Sequence, residues 1–256
     1  MKDLIKIELY KIVKRKDFWL MQSMIFIPIM YAVGLASNSQ SFSYEGTGKV
    51  SALGYASEMM VFVYMCFIYF IILSACVIRS LKGEIENKSL LLYAQRINDR
   101  KKMYISKWIA FVILLFTTVA IFVLVSVVCY ELFLLKRPDI ASGQLLNIRE
   151  NFQIVSSVLA IVLCFIFTIS VALCLSSWLK SFQAMGVFTF LWLGMMYLKE
   201  FAVVKYIAPI YYVENILQAN VDGQRMNRLL GLLVLVGIVS IVSYVVGCKK
   251  FVRSDL

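Results

Sequence analysis

Trp108 to Tyr130 reads WIAFVILLFTTVAIFVLVSVVCY, 23 residues without one Asp, Glu, Lys, Arg or His. A bilayer-spanning helix needs about 20 predominantly apolar residues, so this stretch alone is long enough to cross a membrane. Five other charge-free intervals share the chain with it: Phe18 to Tyr44, Met59 to Ile78, Asn151 to Leu179, Ser181 to Leu198 and Leu229 to Cys248. Over all 256 residues, 61% are apolar and only 16% charged, and the mean hydropathy is +0.83. Soluble chains carry about 25% charged residues. The composition excludes an ordinary soluble domain and predicts an all-α polytopic membrane protein forming one transmembrane domain.

Trimmed to their apolar cores, the intervals place six transmembrane helices at about 18–36, 59–78, 108–130, 154–179, 182–198 and 229–246. Only Lys180 and Ser181 part the fourth from the fifth, so a single long kinked helix competes with two separate ones. Six spans put both termini on one side. Lys and Arg in short loops stay preferentially in the cytoplasm. With the N-terminus inside, eighteen basic and seven acidic residues fall on the inner side and eight of each on the outer, so the formal +11 belongs to the inner face. Anionic membrane lipid accounts for that charge, and no nucleic-acid partner is needed.

Residues 1–17 form a basic amphipathic segment. Ile5, Leu9, Ile12 and Val13 make its apolar stripe, surrounded by Lys2, Lys6, Lys11, Lys14, Arg15 and Lys16. The pattern predicts a helix lying along the inner membrane surface and leading into the first span. Pro28 is expected to kink that span, which membrane helices tolerate when neighbours satisfy the freed backbone.

Reactive chemistry is scarce. The chain has no histidine and no CxxC spacing, and its six cysteines fall in or beside the apolar intervals, where they read as small packing residues. Ser-His-Asp and Cys-His catalysis lack their base. The nearest phosphate-binding fragment, Gly46-Thr47-Gly48-Lys49-Val50, lacks the first glycine of GxxxxGK[ST] and the closing Ser or Thr. No nucleotide or metal cofactor is expected on this chain, which reads as a non-enzyme. The six apolar cores hold no ionisable residue of the kind that proton- or sodium-coupled carriers use, so a secondary carrier is disfavoured.

The segment 79–107, RSLKGEIENKSLLLYAQRINDRKKMYISK, has Glu84 and Glu86 near its start, the apolar Leu90-Leu91-Leu92-Tyr93 in its middle and Arg100-Lys101-Lys102 near its end. An acidic front and basic rear complement a helix dipole. It reads equally as a projecting cytoplasmic helix with a leucine patch or as a positive-inside loop whose leucines dip into the interface. Phe62, Met65 and Tyr69 in the second span, and Met185, Phe188 and Trp192 in the fifth, recur at helical spacing as Met and aromatic stripes. They suit either an amphipathic ligand or packing against lipid and neighbouring helices.

Three segments together resemble the membrane subunit of ABC-2 type ABC exporters, whose permeases share the six-helix fold of the ABCG drug and sterol exporters. They are the N-terminal IELYKIVKRKDFW, the GEIENKSLLLYAQRINDRKKMYISK stretch, and IAPIYYVENIL before the last span. Lys88-Ser89 stands where that family usually has Gly-Thr, and the proline common after the leucines is absent around Arg96. The resemblance implies that residues 1–17 are a connecting helix and that Glu84, Glu86, Leu90 and Leu91 belong to a coupling helix seated on an ATPase subunit. It implies two ATPase copies binding ATP and Mg, and a second permease copy or homologous permease meeting this one near spans two and five. The substrate path would run between the permeases, along Phe62, Met65, Tyr69, Met185, Phe188 and Trp192. Pro209, Tyr211 and Tyr212 would re-enter the outer leaflet as an outer gate, although tyrosines there also suit an interfacial belt. The expected function is the permease of an ATP-driven exporter in a bacterial cell membrane, moving amphipathic or hydrophobic substrates such as antimicrobial peptides or drugs. The alternative is a non-transporting scaffold or sensor that recruits a cytoplasmic partner.

Overall fold

The computed structural model describes residues 1–37, 48–87, 99–147 and 151–253. All its regular elements are helices, and the one isolated β-bridge joins Val50 to Ala141. In chain order they are α1 (Lys2–Val13), α2 (Lys16–Met21), α3 (Phe26–Ala36), α4 (Ala52–Met65), α5 (Ile68–Glu86), α6 (Arg100–Phe133), α7 (Asn151–Trp178), α8 (Ser181–Leu198), α9 (Pro209–Gln218) and α10 (Asp222–Arg253). Five stretches are long and apolar enough to cross a membrane: Lys16–Ala36, Arg100–Lys136, Asn151–Trp178, Ser181–Leu198 and Asp222–Arg253. Their outward faces expose Phe26, Leu124, Phe190 and Ile241. A surface this apolar suits hydrocarbon or another apolar face rather than water, and the protein is a membrane protein on that ground.

The remaining candidate span departs from expectation. Instead of one helix over 59–78, α4 and α5 meet at Cys66 and Phe67 with a bend of 73°. Cys66 leaves the helical region at ψ 87°. The break contains neither Pro nor Gly, the common causes of sharp kinks; its cause is tertiary. Above it, α4 lies on α6 and α7, whereas α5 turns to lie on α7 and α8. There Phe70 stacks on Trp192 with centroids 4.0 Å apart, and Tyr69 meets Phe165 edge to face at 5.0 Å.

Where the sequence predicts a kink at Pro28, the chain shows a 3-10 turn about one turn earlier. A proline supplies no N–H to the carbonyl four residues before it and its ring crowds that carbonyl. The chain tightens into a 3-10 turn over Gln22–Ile25, between α2 and α3. The Pro28 carbonyl accepts a 2.6 Å bond from the Tyr55 hydroxyl.

The competing readings around Lys180 resolve into two helices. Lys180 is extended at ψ 156°, and α7 and α8 form an antiparallel hairpin in which Phe167 and Trp192, placed almost symmetrically about the turn, approach within 6.5 Å. The longest shared face lies between α7 and α10. Near the far end of α10, a Cβ on Gly247 would collide with the Tyr104 hydroxyl and stand 3.2 Å from the Cys174 Cα. Only glycine lets α10 approach that closely.

Contacts sort the helix ends into two sets. Arg100 Nη1 donates to the Val252 carbonyl, Lys250 lies over Trp178, and Glu86 reaches Ser181, so α1, the end of α5, the start of α6, the α7–α8 turn and the end of α10 share one end of the bundle. At the opposite end Arg137 donates to the Leu35 carbonyl, and Val50 N–H to the Ile140 carbonyl. Residue 1 and residue 253 therefore lie at the same end.

Candidate functional site

The end that gathers both termini contains a buried ion cluster. On α1, residues 5, 8, 9 and 12 face one way, because helix neighbours recur at three and four residues. Ile5, Leu9 and Ile12 are apolar, but position 8 is Glu8, and it is buried together with Ile12 while Val13 points outward. α1 thus packs its stripe, carboxylate included, against α6. Two turns into α6, Lys107 answers it with a side chain only 1% exposed. The Lys107 ammonium donates to Glu8 Oε2 at 2.6 Å, to Glu84 Oε2 at 2.8 Å, and more weakly to the Ser80 carbonyl at 3.4 Å. An ammonium has three donors, and all three are engaged. Lys11 closes the arrangement from the rim, 3.1 Å from Glu8 and 3.5 Å from Glu84.

Among the described residues, two carboxylates and two ammonium groups face one another here. Burial of a charge without a partner costs several kcal/mol, so this cluster holds α1, α5 and α6 in one arrangement. Beside it, Asp17 of α2 receives Arg79 of α5 at 3.1 Å and Arg15 at 3.5 Å. The start of α6 is capped by Asp99, whose side chain accepts from the Lys101 and Lys102 N–H groups. The Lys102 side chain and these backbone donors hold the Asp99 carboxyl below its ordinary range. Chemically the region is a clamp of ion pairs: it offers charge and rigidity.

The sequence-derived residues fall as follows. Glu84 turns inward to Lys107 and Lys11 on the last turns of α5. Glu86 is exposed and accepts from the Ser181 N–H at 3.2 Å and hydroxyl at 3.0 Å, a carboxylate at the positive start of α8. Leu90 and Leu91 lie outside the described residues. The six residues expected along a substrate path do not share a surface. Phe62 and Met65 are exposed near the end of α4, Met185 is half-buried, and Tyr69, Phe188 and Trp192 are buried among Phe70, Phe165 and Phe167 of the same chain. Phe62 and Met65 precede the bend at Cys66, and Tyr69 follows it. The Tyr69 hydroxyl is buried without a hydrogen-bond partner.

At the other end, Pro209 is the first residue of α9, where its missing N–H costs nothing. Tyr211 and Tyr212 are half-buried on that helix. Lys205 and Arg228 lie 5.2 Å and 5.4 Å from the centroid of the Tyr211 ring. Lys199 pairs with Glu214 at 2.6 Å.

Sequence reasoning missed Glu8 and Lys107. The signal for Glu8 was present: a single acid inside an otherwise apolar helical stripe. Lys107 stood at the border of the longest apolar run, which made it look like an ordinary flanking charge. No protein-family model matches the chain, and no curated protein matches it either.

Proposed function

We propose that this chain is the permease subunit of an ATP-driven exporter, with six spans formed by the five long apolar helices and the bent α4–α5 pair. The observation that supports this best is the ion cluster of Glu8, Lys11, Glu84 and Lys107. The three segments it joins are those that, by resemblance to ABC-2 permeases, face the ATPase: the N-terminal helix, the end of the second span and the start of the third. A partner pressing on residues 87–99 would move these elements together rather than bend one of them.

In this reading Glu84 is a positioning residue, and the partner contact belongs to the segment that carries Leu90 and Leu91. Nucleotide chemistry stays with the ATPase subunit, because the sequence offers no phosphate cradle. The apolar intervals without ionisable residues fit an amphipathic or hydrophobic cargo entering from the membrane, an antimicrobial peptide or a drug among them. A multiply charged solute would have no counter-charge along them.

The test is reconstitution. The purified chain alone in liposomes should hydrolyse no ATP, and a nucleotide-binding subunit should co-purify from the native cell and restore hydrolysis. Paired substitution of Leu90 and Leu91 by serine should uncouple that hydrolysis from transport while leaving the chain in the membrane. Robust hydrolysis by the lone, contaminant-free chain, or full transport by the leucine variant, would overturn the reading.

A further inference from the structure

Two cavities meet where α10 begins. The first, of about 560 Å³, is lined by Tyr206, Tyr212, Asn215, Gln224, Asn227 and Arg228, with no carboxylate in its lining. The second, of about 550 Å³, runs along the apolar part of α10 past Leu230, Val234, Leu235 and Ile238. Tyr206 and Tyr212 line both, so the two adjoin at these rings. Gly231 permits the junction: a Cβ there would stand 2.6 Å from Tyr212 Cε1, so only glycine lets that ring lie against the helix.

The polarity of the combined cavity is ordered along the helix. Gln224, Asn227 and Arg228 occupy the first turns of α10, and Leu230, Val234 and Ile238 follow at four-residue spacing on one stripe. From Arg228 to Ile238 is ten residues, about 15 Å at the rise of an α-helix, which matches one leaflet of a hydrocarbon layer roughly 30 Å thick. A polar compartment one leaflet above the end of an apolar groove has the shape and polarity of a lipid molecule.

Charge narrows the class. Glu214 of α9 and Asp222 at the start of α10 pair with Lys199 and Arg225. Arg228 and Lys205 instead flank the Tyr211 ring, which attracts cations without neutralising them. Only Arg228 of the two lines the polar cavity; a choline headgroup would bring its own cation against it, whereas a lipid phosphate without a compensating ammonium would pair with it.

We propose that the polar cavity and the groove beside it together bind one anionic phospholipid, with its phosphate beside Arg228, its headgroup hydroxyls toward Asn227 and Gln224, and an acyl chain along Leu230, Val234 and Ile238. The proposal stands apart from the exporter reading, since it needs neither an ATPase nor a transported substrate.

Native mass spectrometry of the purified chain in detergent tests it, with dioleoyl phosphatidylglycerol, dioleoyl phosphatidylcholine and glycerol phosphate as probes. The phosphatidylglycerol should bind about tenfold more tightly than the choline lipid, and glycerol phosphate should not displace it. Arg228→Gln should weaken phosphatidylglycerol binding about tenfold, the scale of one charge-assisted hydrogen bond. Val234→Trp, which fills the groove and keeps the cation, should weaken it as well and carries the test if Arg228→Gln does not fold. Lys250→Gln, at the opposite end of the bundle, should leave binding unchanged. Equal binding of the two lipids, or wild-type binding by the folded variants, overturns the proposal. Displacement by glycerol phosphate would show a headgroup-sized anion site and overturns the lipid assignment.

Discussion

Lys107 shows how one side chain organises the end of the bundle. Its ammonium is buried and its neighbours are Glu8 and Glu84, so removing it takes from both carboxylates the cation they share. Breaking a buried pair from one side costs about 3 to 5 kcal/mol, whereas replacing all the charges by neutral groups of similar size is often harmless. Lys107→Met should therefore lower the thermal unfolding midpoint in detergent markedly, by about 3 kcal/mol of stability. The triple variant Glu8→Gln, Glu84→Gln, Lys107→Met should recover most of the loss. Equal destabilisation of the single and triple variants would show that the side chains matter through packing rather than charge. Part of this was legible in the sequence: Glu84 stood out as an acid at the head of a basic segment. Its partners were not, because the pairing spans 99 residues from Glu8 to Lys107, and periodicity within one helix cannot say which other helix lies opposite.

Among elements, the long apolar helices α6, α7, α8 and α10 lie close to where charge-free intervals placed them, since a run without charges is a local property. The division of α4 from α5 is a long-range one. Nothing in YMCFIYF marks a break; the bend follows from the competing pulls of α6 on one half and of α8 on the other. The aromatic cluster on the α5 side then belongs to the interior of the helix bundle. Trp192 is 2% exposed and contacts Phe70, Phe167 and Phe188, while Met65, from the same expected stripe set, is 68% exposed. Lipid is as apolar as a leucine side chain, so a helix contact inside a membrane rests on close packing rather than on leaving water. Trp192→Ala removes the centre of that packing and should cost about 3 kcal/mol, with Phe188→Ala acting in the same direction. Met65→Ala should change stability by less than about 0.5 kcal/mol. Thermal unfolding of the two variants side by side checks this. A Trp192→Ala protein as stable as the wild type would show that this ring is not the centre of the packing.

At the scale of the whole molecule, the two ends of the bundle differ in kind. The end with both termini carries exposed Lys2, Lys6, Lys14, Lys101, Lys249 and Lys250, together with the buried cluster around Lys107. At the other end, Lys199, Arg137 and Arg225 are matched by Glu214, Asp139 and Asp222, while Lys205 and Arg228 lie against the Tyr211 ring. Basic residues in short loops are retained on the cytoplasmic side whereas acidic ones exert little influence, so the excess, more than the pairing, sets the orientation. The first end should face the cytoplasm, where anionic lipid adds about 1 kcal/mol per nearby basic residue. Single cysteines placed in a cysteine-free background decide it. Ser142, in the turn after α6, and Gly223, in the first turn of α10, lie at the second end and should react in intact cells with a thiol reagent that cannot cross the membrane. Asn87, exposed just beyond α5, should react only after the cells are opened. Of the other informative positions, Ser41 and Ser89 lie outside the described residues; Ser41 should label with Ser142 and Ser89 with Asn87. Labelling of Asn87 in intact cells with protection of Gly223 would invert the molecule. It would place the cation-ringed Tyr211 and the cavity beside Arg228 in the cytoplasmic leaflet and leave the Lys107 cluster facing outward, beyond the reach of any ATPase.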